Sequence, residues 1–357
     1  MDFPQAMERA IALAWNGWGR VGRNPLVGAL VLRDGAVVGE GFHAEFGGPH
    51  GEALALVAAG ERARGADLVV TLEPCAHHGK TPPCTDAILA SGIRRVVFGA
   101  HDVDPAARGG ADLLRQAGVA VEGGLMEPAV RAQNAMFFHR HAEPARPFVA
   151  LKLAASVDGR IADKDGNSRW VTGVPAREYV HWLRAGFDAV AVGGGTAKAD
   201  DPGLTVRGPV RPVKPPLRVV LDRHAELPPA SQLVQTAREV PTLALVGRGA
   251  PAPAVAALRE AGVEVAVAEA QREILSELSR RGVASVLVEG GGVVAGRLLK
   301  EGVVDRLYLM VAPLWLGEEG VAAFAGVPAA RIEDAPRWRT AERRALGDDT
   351  LLVLDRR

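Results

Sequence analysis

Short apolar runs alternate with helical patterns along the whole 357-residue chain, and this alternation constrains the fold more than any other feature. Runs such as residues 68–72 and 286–288 are typical of buried strands. The segments between such runs place apolar residues three and four positions apart, as amphipathic helices do. Strands that alternate with helices favour α/β layers, in which helices cover a mostly buried sheet.

Two prolines divide this pattern into two successive series. Residues 143–148 read Glu-Pro-Ala-Arg-Pro-Phe. Proline cannot continue a helix and biases the residue before it to an extended conformation. Since a domain takes roughly 100 to 200 residues, we predict two α/β domains, residues 1–145 and 146–357.

The composition excludes several classes of protein. The chain has 42 Lys and Arg against 42 Asp and Glu, so it lacks the basic excess of a nucleic-acid or membrane-surface partner. No apolar run reaches the roughly 18 residues of a membrane span, and the first residues lack the basic start of a secretory signal. Two cysteines are too few for a disulfide framework and suit a reducing compartment. We therefore expect a cytoplasmic protein with a small-molecule partner and with neither nucleic acid nor membrane.

The two cysteines, Cys75 and Cys84, lie downstream of a His-x-Glu pair formed by His50 and Glu52. Thiolate and imidazole suit Zn²⁺, and three protein ligands leave one tetrahedral position open for water. Zinc deaminases use such a set, with the glutamate serving as proton shuttle and not as ligand. Positions i and i+2 share no face inside a helix, so the pair must occupy a first helical turn. We predict Zn²⁺ on His50, Cys75 and Cys84, with Glu52 as the catalytic residue.

Other interpretations of these residues remain open at this point. Paired cysteines can simply be core residues. A closed structural zinc, as in a zinc-stabilised binding module, would take His77 or His78 as fourth ligand. A structural zinc would, however, have no use for Glu52.

The segment around the cysteines carries a resemblance to a known family. Residues 71–84 read Thr-Leu-Glu-Pro-Cys-Ala-His-His-Gly-Lys-Thr-Pro-Pro-Cys, with eight residues between the cysteines where the general deaminase pattern has two. Together with Asn-Pro-Leu-Val-Gly at residues 24–28, this segment resembles the bifunctional riboflavin-biosynthesis deaminase/reductase family. Residues 152–160 and 289–292 resemble the reductase half of the same family, so the resemblance covers nearly the whole chain.

The resemblance implies an N-terminal cytidine-deaminase-like three-layer α/β domain followed by a C-terminal dihydrofolate-reductase-like α/β domain. It implies hydrolytic deamination of 2,5-diamino-6-ribosylamino-4(3H)-pyrimidinone 5′-phosphate, then reduction of the ribosyl group to ribityl. The implied cofactors are Zn²⁺ and NADPH, and a homo-oligomer, dimer or tetramer, is expected.

Site residues follow from the same resemblance. The substrate contacts of the first half are Asn24, His43, His77, Lys80 and Asp102. The substrate contacts of the second half are Lys152, Ser168, Arg184, Leu204, Arg207 and Glu289. The cofactor contacts are Ala154, Trp170, Thr196, Asp200, Gly291, Gly292, Val293, Val294, Ala295, Gly296 and Arg297. Guanidinium groups bind phosphate as a fork, and a glycine-rich turn before a helix lets backbone amides approach a pyrophosphate.

Two rival interpretations remain, one for the glycine-rich turn of the second half and one for the function of the whole chain. Gly290, Gly292 and Ala295 could be forced into a Rossmann fingerprint, but no acidic strand end follows at roughly 20 residues. Alternatively, the chain could deaminate another base or nucleoside, free or in tRNA, and carry an inactive or purely binding C-terminal domain. The zero net charge weighs against tRNA, and the long cysteine spacing weighs against both substrates.

Overall fold

The computed structural model describes residues 1–357, which divide into two compact units. Unit 1 comprises Met1–Ala142 and Arg211–Val213, and unit 2 comprises Glu143–Val210 and Lys214–Arg357. Unit 1 contains a five-stranded sheet, whereas unit 2 contains a nine-stranded sheet and a separate two-stranded pair. None of the helices combines the length and the apolar character needed to cross a bilayer.

Unit 1 follows the predicted alternation of strands and helices. Its helices are α1 (Phe3–Ala14), α2 (Gly51–Ala59), α3 (Cys84–Ser91), α4 (Gly110–Gln116), α5 (Glu127–Gln133) and α6 (Ala135–Ala142). Its strands are β1 (Gly28–Arg33), β2 (Ala36–Phe42), β3 (Asp67–Leu72), β4 (Arg95–Ala100) and β5 (Ala120–Gly123). The sheet order is β2-β1-β3-β4-β5. Strand β1 is antiparallel to both neighbours, and β3, β4 and β5 are parallel.

Glycines on β1 and β2 show how helices cover both faces of this sheet. A Cβ on Gly28 would lie 2.1 Å from the Ala10 carbonyl oxygen of α1, and one on Gly41 would lie 2.5 Å from the Ala55 nitrogen of α2. Gly41 pairs with Ala29, the neighbour of Gly28, so the two glycines face opposite sides of the sheet. Helices α1 and α2 therefore lie on opposite faces, and the predicted three-layer arrangement is confirmed.

The sequence pattern predicts one helix over residues 127–139, but the structure divides this segment into α5 and α6 at Asn134. The Asn134 Oδ1 accepts a hydrogen bond from the Leu26 nitrogen at 2.7 Å, and its Nδ2 donates to the Leu26 oxygen at 3.1 Å. Both residues are 4% exposed. The side chain thus supplies both backbone groups of Leu26 with partners in a place that water does not reach.

Replacement of Asn134 by Ala is expected to destabilise unit 1 by about 2 kcal/mol, because it leaves two buried backbone groups unpaired. The matched control is Asn16→Ala, which removes one hydrogen bond from an exposed side chain to the Leu13 oxygen and should cost less than about 0.5 kcal/mol. Urea unfolding followed by near-UV circular dichroism measures both values. Equal losses for the two variants would contradict this role of Asn134.

Unit 2 is built on a largely parallel sheet. Its strands are β6 (Phe148–Ser156), β7 (Arg160–Ala162), β8 (Ala189–Gly193), β9 (Leu217–Leu221), β10 (Thr242–Val246), β11 (Glu264–Val267), β12 (Ser285–Val288), β13 (Arg306–Ala312), β14 (Val321–Ala322), β15 (Trp338–Leu346) and β16 (Asp349–Arg356). Its helices are α7 (Val174–Arg184), α8 (Gly194–Asp200), α9 (Gln232–Gln235), α10 (Ala252–Glu260), α11 (Gln271–Arg280) and α12 (Gly292–Lys300).

The large sheet of unit 2 has the order β11-β10-β9-β8-β12-β6-β13-β16-β15, and β14 pairs with β7. The seven strands from β11 to β13 are parallel, as helical crossovers require. The last two strands form an antiparallel hairpin on the edge beside β13. The carboxyl ends of β6, β8 and β12 therefore lie at one edge of the sheet, which is where open α/β sheets bind ligands.

Candidate active sites

Three potential zinc ligands come together at two helix starts in unit 1. His50 is the N-cap of α2, and Cys84 is the first residue of α3. The Nδ1 of His50 lies 3.2 Å from the Cys84 Sγ and 3.5 Å from the Cys75 Sγ. All three ligand atoms lie within 4.8 Å of one another. The predicted position of the His-x-Glu pair in a first helical turn is confirmed.

This donor set fits a zinc ion. One imidazole nitrogen and two sulfurs match the ligand preference of Zn²⁺ and leave a tetrahedral position free. Hydrogen bonds with Cys84 and then His50 lower the pKa of the Cys75 thiol to about 4, although burial opposes them. The same hydrogen bond raises the pKa of the Cys84 thiol, so Cys75 is the more acidic of the two thiols, and metals bind the thiolate form.

Glu52 lies in the first turn of α2 and is only 3% exposed. Its Oε2 is buried and has no hydrogen-bond partner. Burial raises the pKa of this carboxyl to about 7. A carboxyl group with this pKa can both accept and return a proton at neutral pH, as a proton shuttle must.

A cavity of about 250 Å³ is lined by Glu52 and by two of the three potential ligands, His50 and Cys75. The structure brings all five predicted substrate contacts of this half to its wall, namely Asn24, His43, His77, Lys80 and Asp102. The His43 Nδ1 lies 3.1 Å from the Pro49 oxygen, and its Nε2 lies 3.2 Å from the Asn24 Nδ2. Burial lowers the pKa of His43, so a neutral ring donates to Pro49 and accepts from Asn24. This hydrogen bond fixes the Asn24 amide at the cavity wall.

Glu73, which was not predicted as a site residue, is buried and lines the cavity. Its Oε1 accepts hydrogen bonds from the nitrogens of Gly109 and Ala111, at 3.2 and 3.1 Å. Its Oε2 lies 3.0 Å from the His101 Nδ1 and accepts from the Asp102 nitrogen at 3.4 Å. Glu73 thus holds the loop that carries Asp102. An acidic residue directly before Pro-Cys was the available signal.

In unit 2 the structure joins three predicted substrate contacts into one buried charge cluster. The Arg184 Nε and Nη2 donate to the two carboxylate oxygens of Glu289 at 2.5 and 2.9 Å. Lys152 interacts electrostatically with both, and burial lowers the pKa of its ammonium group. The guanidinium fork predicted for a phosphate is engaged by Glu289 in this structure. The phosphate role of Arg184 therefore stays a prediction for its remaining N–H groups.

The predicted cofactor residues at the start of α12 are partly accessible and partly packed against the surrounding backbone. Gly291 is the half-buried N-cap, and Val293 is 75% exposed. Gly292 and Gly296 face inward, because a Cβ on them would lie 2.1 and 1.8 Å from the oxygens of Ala322 and Ala325. Close backbone packing thus explains these two glycines. The other residues of this helix segment are the buried Ala295, the half-buried Val294 and the exposed Arg297.

The remaining predicted residues lie on β6, on α8 and in the loops beside them. The Ser168 Oγ donates to the Asp200 Oδ1 at 3.3 Å. The Thr196 Oγ1 lies 3.3 Å from the position of a Cβ on Gly291, so α8 and the start of α12 are neighbours. The others are Ala154 on β6, the buried Leu204, and the exposed Trp170 and Arg207.

Two family models match the chain. The model described as RibD C-terminal domain matches residues 147–352. The model described as cytidine and deoxycytidylate deaminase zinc-binding region matches residues 3–100. These matches agree with the predicted order of a deaminase domain and a reductase domain.

Named relatives and solved structures agree with the family models. Riboflavin biosynthesis protein RibD of Aquifex aeolicus (strain VF5) is 38% identical over 98% of this chain and 97% of its own length. RibD of Escherichia coli (strain K12) is 37% identical over 98% of both chains.

Among solved structures, Acinetobacter baumannii RibD has a TM-score of 0.80 at 34% identity and covers 99% of both chains. A Thermotoga maritima protein described as a diaminohydroxyphosphoribosylaminopyrimidine deaminase/5-amino-6-(5-phosphoribosylamino)uracil reductase has a TM-score of 0.81 at 36% identity, over 99% of this chain and 98% of that one. The predicted fold class of both halves is confirmed. This chain belongs to the RibD family of riboflavin biosynthesis proteins, in which a zinc-binding deaminase domain is joined to a reductase domain.

Proposed function

We propose that this chain catalyses two consecutive reactions of riboflavin biosynthesis. Residues 1–145 deaminate 2,5-diamino-6-ribosylamino-4(3H)-pyrimidinone 5′-phosphate, and residues 146–357 reduce the ribosyl group of the product to ribityl with NADPH. The observation that carries this proposal is the meeting of the His50, Cys75 and Cys84 ligand atoms within 4.8 Å of one another, at a cavity that His50, Cys75 and Glu52 line.

In the deaminase, His50, Cys75 and Cys84 would hold the zinc ion, which when bound lowers the pKa of water to about 7. The Glu52 carboxylate takes the proton from the attacking water and delivers it to the departing amine, so that ammonia leaves. Asn24, held by His43, orients the pyrimidine ring. Lys80 is the exposed cation of the cavity wall that we assign to the substrate phosphate.

In the reductase, bound NADPH would supply the hydride for C1′ of the substrate, and the protein positions both partners. We assign the substrate phosphate to Arg207, which is exposed. Arg184, paired with Glu289, donates to the Thr205 oxygen, two residues before Arg207. Residues at the start of α12 and on α8, which are neighbours at Gly291 and Thr196, would hold the cofactor.

The substrate we propose is a free metabolite. The chain carries no net charge, and nucleic-acid binding needs a basic surface. The alternative, a deaminase of another base with a merely binding C-terminal domain, is not favoured because the reductase-domain match covers residues 147–352. Assembly into a dimer or tetramer and residence in the cytoplasm stay predictions.

Replacement of Cys84 by Ser tests the deaminase proposal. We expect zinc content to fall from one ion per chain to near zero, because a neutral hydroxyl is a far poorer ligand than thiolate. Ammonia release should be lost, while NADPH oxidation with the already deaminated substrate continues. Atomic absorption and the two rate assays measure these outcomes, with replacement of the half-buried Ser91 by Ala at the end of α3 as control. A Cys84→Ser protein that keeps both zinc and deamination would contradict the proposal.

A further inference from the structure

We propose that Gln232 is a positioning residue of the reductase, acting through residues 201–207, which we call the substrate loop. The proposal rests on the proposed reductase function, because that function places Leu204 and Arg207 at the substrate. Gln232 lies about 30 residues further along the chain, at the start of α9, and is exposed. It touches the loop only at Asp201 among the hydrogen bonds of its side chain.

Hydrogen bonds hold the substrate loop at three alternate residues, Asp201, Gly203 and Thr205. Asp201 accepts hydrogen bonds from Gln232, the Gly203 oxygen accepts from the Arg218 Nη1 at 3.4 Å, and the Thr205 oxygen lies 3.0 Å from the Arg184 Nη1. The His181 Nδ1 also lies 3.3 Å from the Thr205 oxygen. The three anchoring points come from three different elements, α9, β9 and α7. Only the end of the loop that carries Arg207 has no such anchor among these bonds.

The contact between Gln232 and Asp201 is the most extensive of these anchors. The Gln232 nitrogen donates to the Asp201 Oδ1 at 2.7 Å. The Gln232 Nε2 donates to the Asp201 backbone oxygen at 2.5 Å and to its Oδ2 at 3.4 Å. One residue thus binds the side chain and the backbone of the first loop residue together.

The backbone of the loop requires such anchoring. Asp201 has a φ of 40° and Leu204 a φ of 48°, in the left-handed region that is unfavourable for residues with a Cβ. The conformation therefore depends on contacts with the surrounding structure. Leu204 is 2% exposed and belongs to the same core cluster as Leu233 and Val234 of α9. Helix α9 accordingly holds the loop both by apolar packing and through Gln232.

A buried arginine fixes α9 itself. The four-residue helix is too short to be stable alone. Arg218, which is 1% exposed, donates to the oxygens of Leu233, Thr236 and Val240 at 3.5, 3.1 and 2.6 Å. The same guanidinium donates to Gly203 of the loop. Gln232 is therefore attached to a rigid support, and the Asp201 contact transmits that rigidity to the loop.

Loss of the Gln232 amide should lower the fraction of molecules in which the loop can bind substrate. An apparent affinity falls by that same fraction, whereas the rate of the bound complex does not change. We expect Gln232→Ala to raise the KM for the deaminated substrate about tenfold, with kcat within about twofold of wild type. The deaminase rate of the same protein should be unchanged.

Two further variants separate positioning from packing. Gln232→Glu keeps the size and the backbone donor but replaces the amide donor by a carboxylate that faces Asp201, so its KM should rise at least as far as that of Gln232→Ala. Gln235→Ala is the matched control, because Gln235 is exposed on the same helix and its Nε2 donates to the Pro229 oxygen, away from the loop. Its KM should equal that of wild type.

The experiment follows NADPH absorbance with the deaminated uracil substrate over a range of concentrations, together with ammonia release from the diamino substrate. A KM that rises in both Gln232 variants and not in Gln235→Ala supports the inference. A wild-type KM in Gln232→Glu, with wild-type protein active, would overturn the inference and leave the reductase in place. A wild-type protein that oxidises no NADPH would overturn the proposed reductase and this inference with it.

Discussion

Replacement of Glu52 by Gln is expected to lower kcat/KM for deamination by about 10³-fold, the contribution of a well-placed general acid and base. The amide cannot take the proton of water or return it to the leaving amine. The exchange keeps the size of a side chain that is 3% exposed, so the fold should be preserved. The zinc content should also be preserved, because His50, Cys75 and Cys84 remain in place.

The measurement for this variant combines ammonia release, metal content and NADPH oxidation with the deaminated substrate. Only the first should change. The control is Glu61→Gln, which changes an exposed glutamate just beyond the end of α2. A Glu52→Gln protein that deaminates at the wild-type rate would exclude Glu52 as the proton shuttle.

Replacement of Arg184 by Ala is expected to destabilise unit 2 by about 4 kcal/mol near pH 7, as the loss of one partner of a buried ion pair does. Both side chains of the Arg184 and Glu289 pair are 12% exposed. Glu289 would retain a buried charge without its fork-shaped partner. NADPH oxidation should fall with the unit's stability, while ammonia release should continue.

The stability loss in Arg184→Ala should depend on pH with a definite sign. Burial acts to raise the pKa of Glu289, but Arg184 outweighs it, so the wild-type pKa lies below the ordinary value. The ion pair therefore stabilises the wild type at pH values above the ordinary carboxyl pKa. This contribution is lost as the pH falls through the lowered pKa of Glu289. In the variant, burial alone raises the pKa, so acid neutralises the isolated carboxyl.

The difference in stability between wild type and Arg184→Ala should accordingly shrink as the pH is lowered from 7 toward 4. Denaturant unfolding at several pH values measures it, with the exposed Arg259→Ala as control. A difference that grows in acid, or a loss no larger than that of Arg259→Ala, would show that the buried pair does not carry this stability.

Local signals in the sequence were sufficient for several parts of the fold and site. Asp34 and Gly35 predict a two-residue hairpin, and their φ values of 50° and 76° match its left-handed turn. The sequence predicts a helix over residues 51–59 that ends at Gly60, and α2 has these bounds. The metal site was predictable since ligand chemistry and spacing fix it within two short segments.

Long-range contacts account for what the sequence did not reveal. Glu73 binds backbone groups up to 38 residues away, and Arg184 meets Glu289 across 105 residues. The hairpin of β15 and β16 was missed although Gly347, with a φ of 66°, starts its two-residue turn. Strand β15 exposes mostly charged side chains, so it lacks the apolar alternation of a strand. Its stability comes from pairing with β16, which no local pattern encodes.

One chain is expected to perform deamination and then reduction, and a single coupled assay tests this expectation. Zinc-loaded protein receives the diamino substrate, first without and then with NADPH, while ammonia and NADPH absorbance are followed. We predict ammonia release without NADPH, followed on its addition by oxidation of one NADPH for each ammonia released. A chelator should stop both signals with the diamino substrate but spare NADPH oxidation with the deaminated one. Ammonia release without any NADPH oxidation, or NADPH oxidation without ammonia release, would contradict the proposed two-step function.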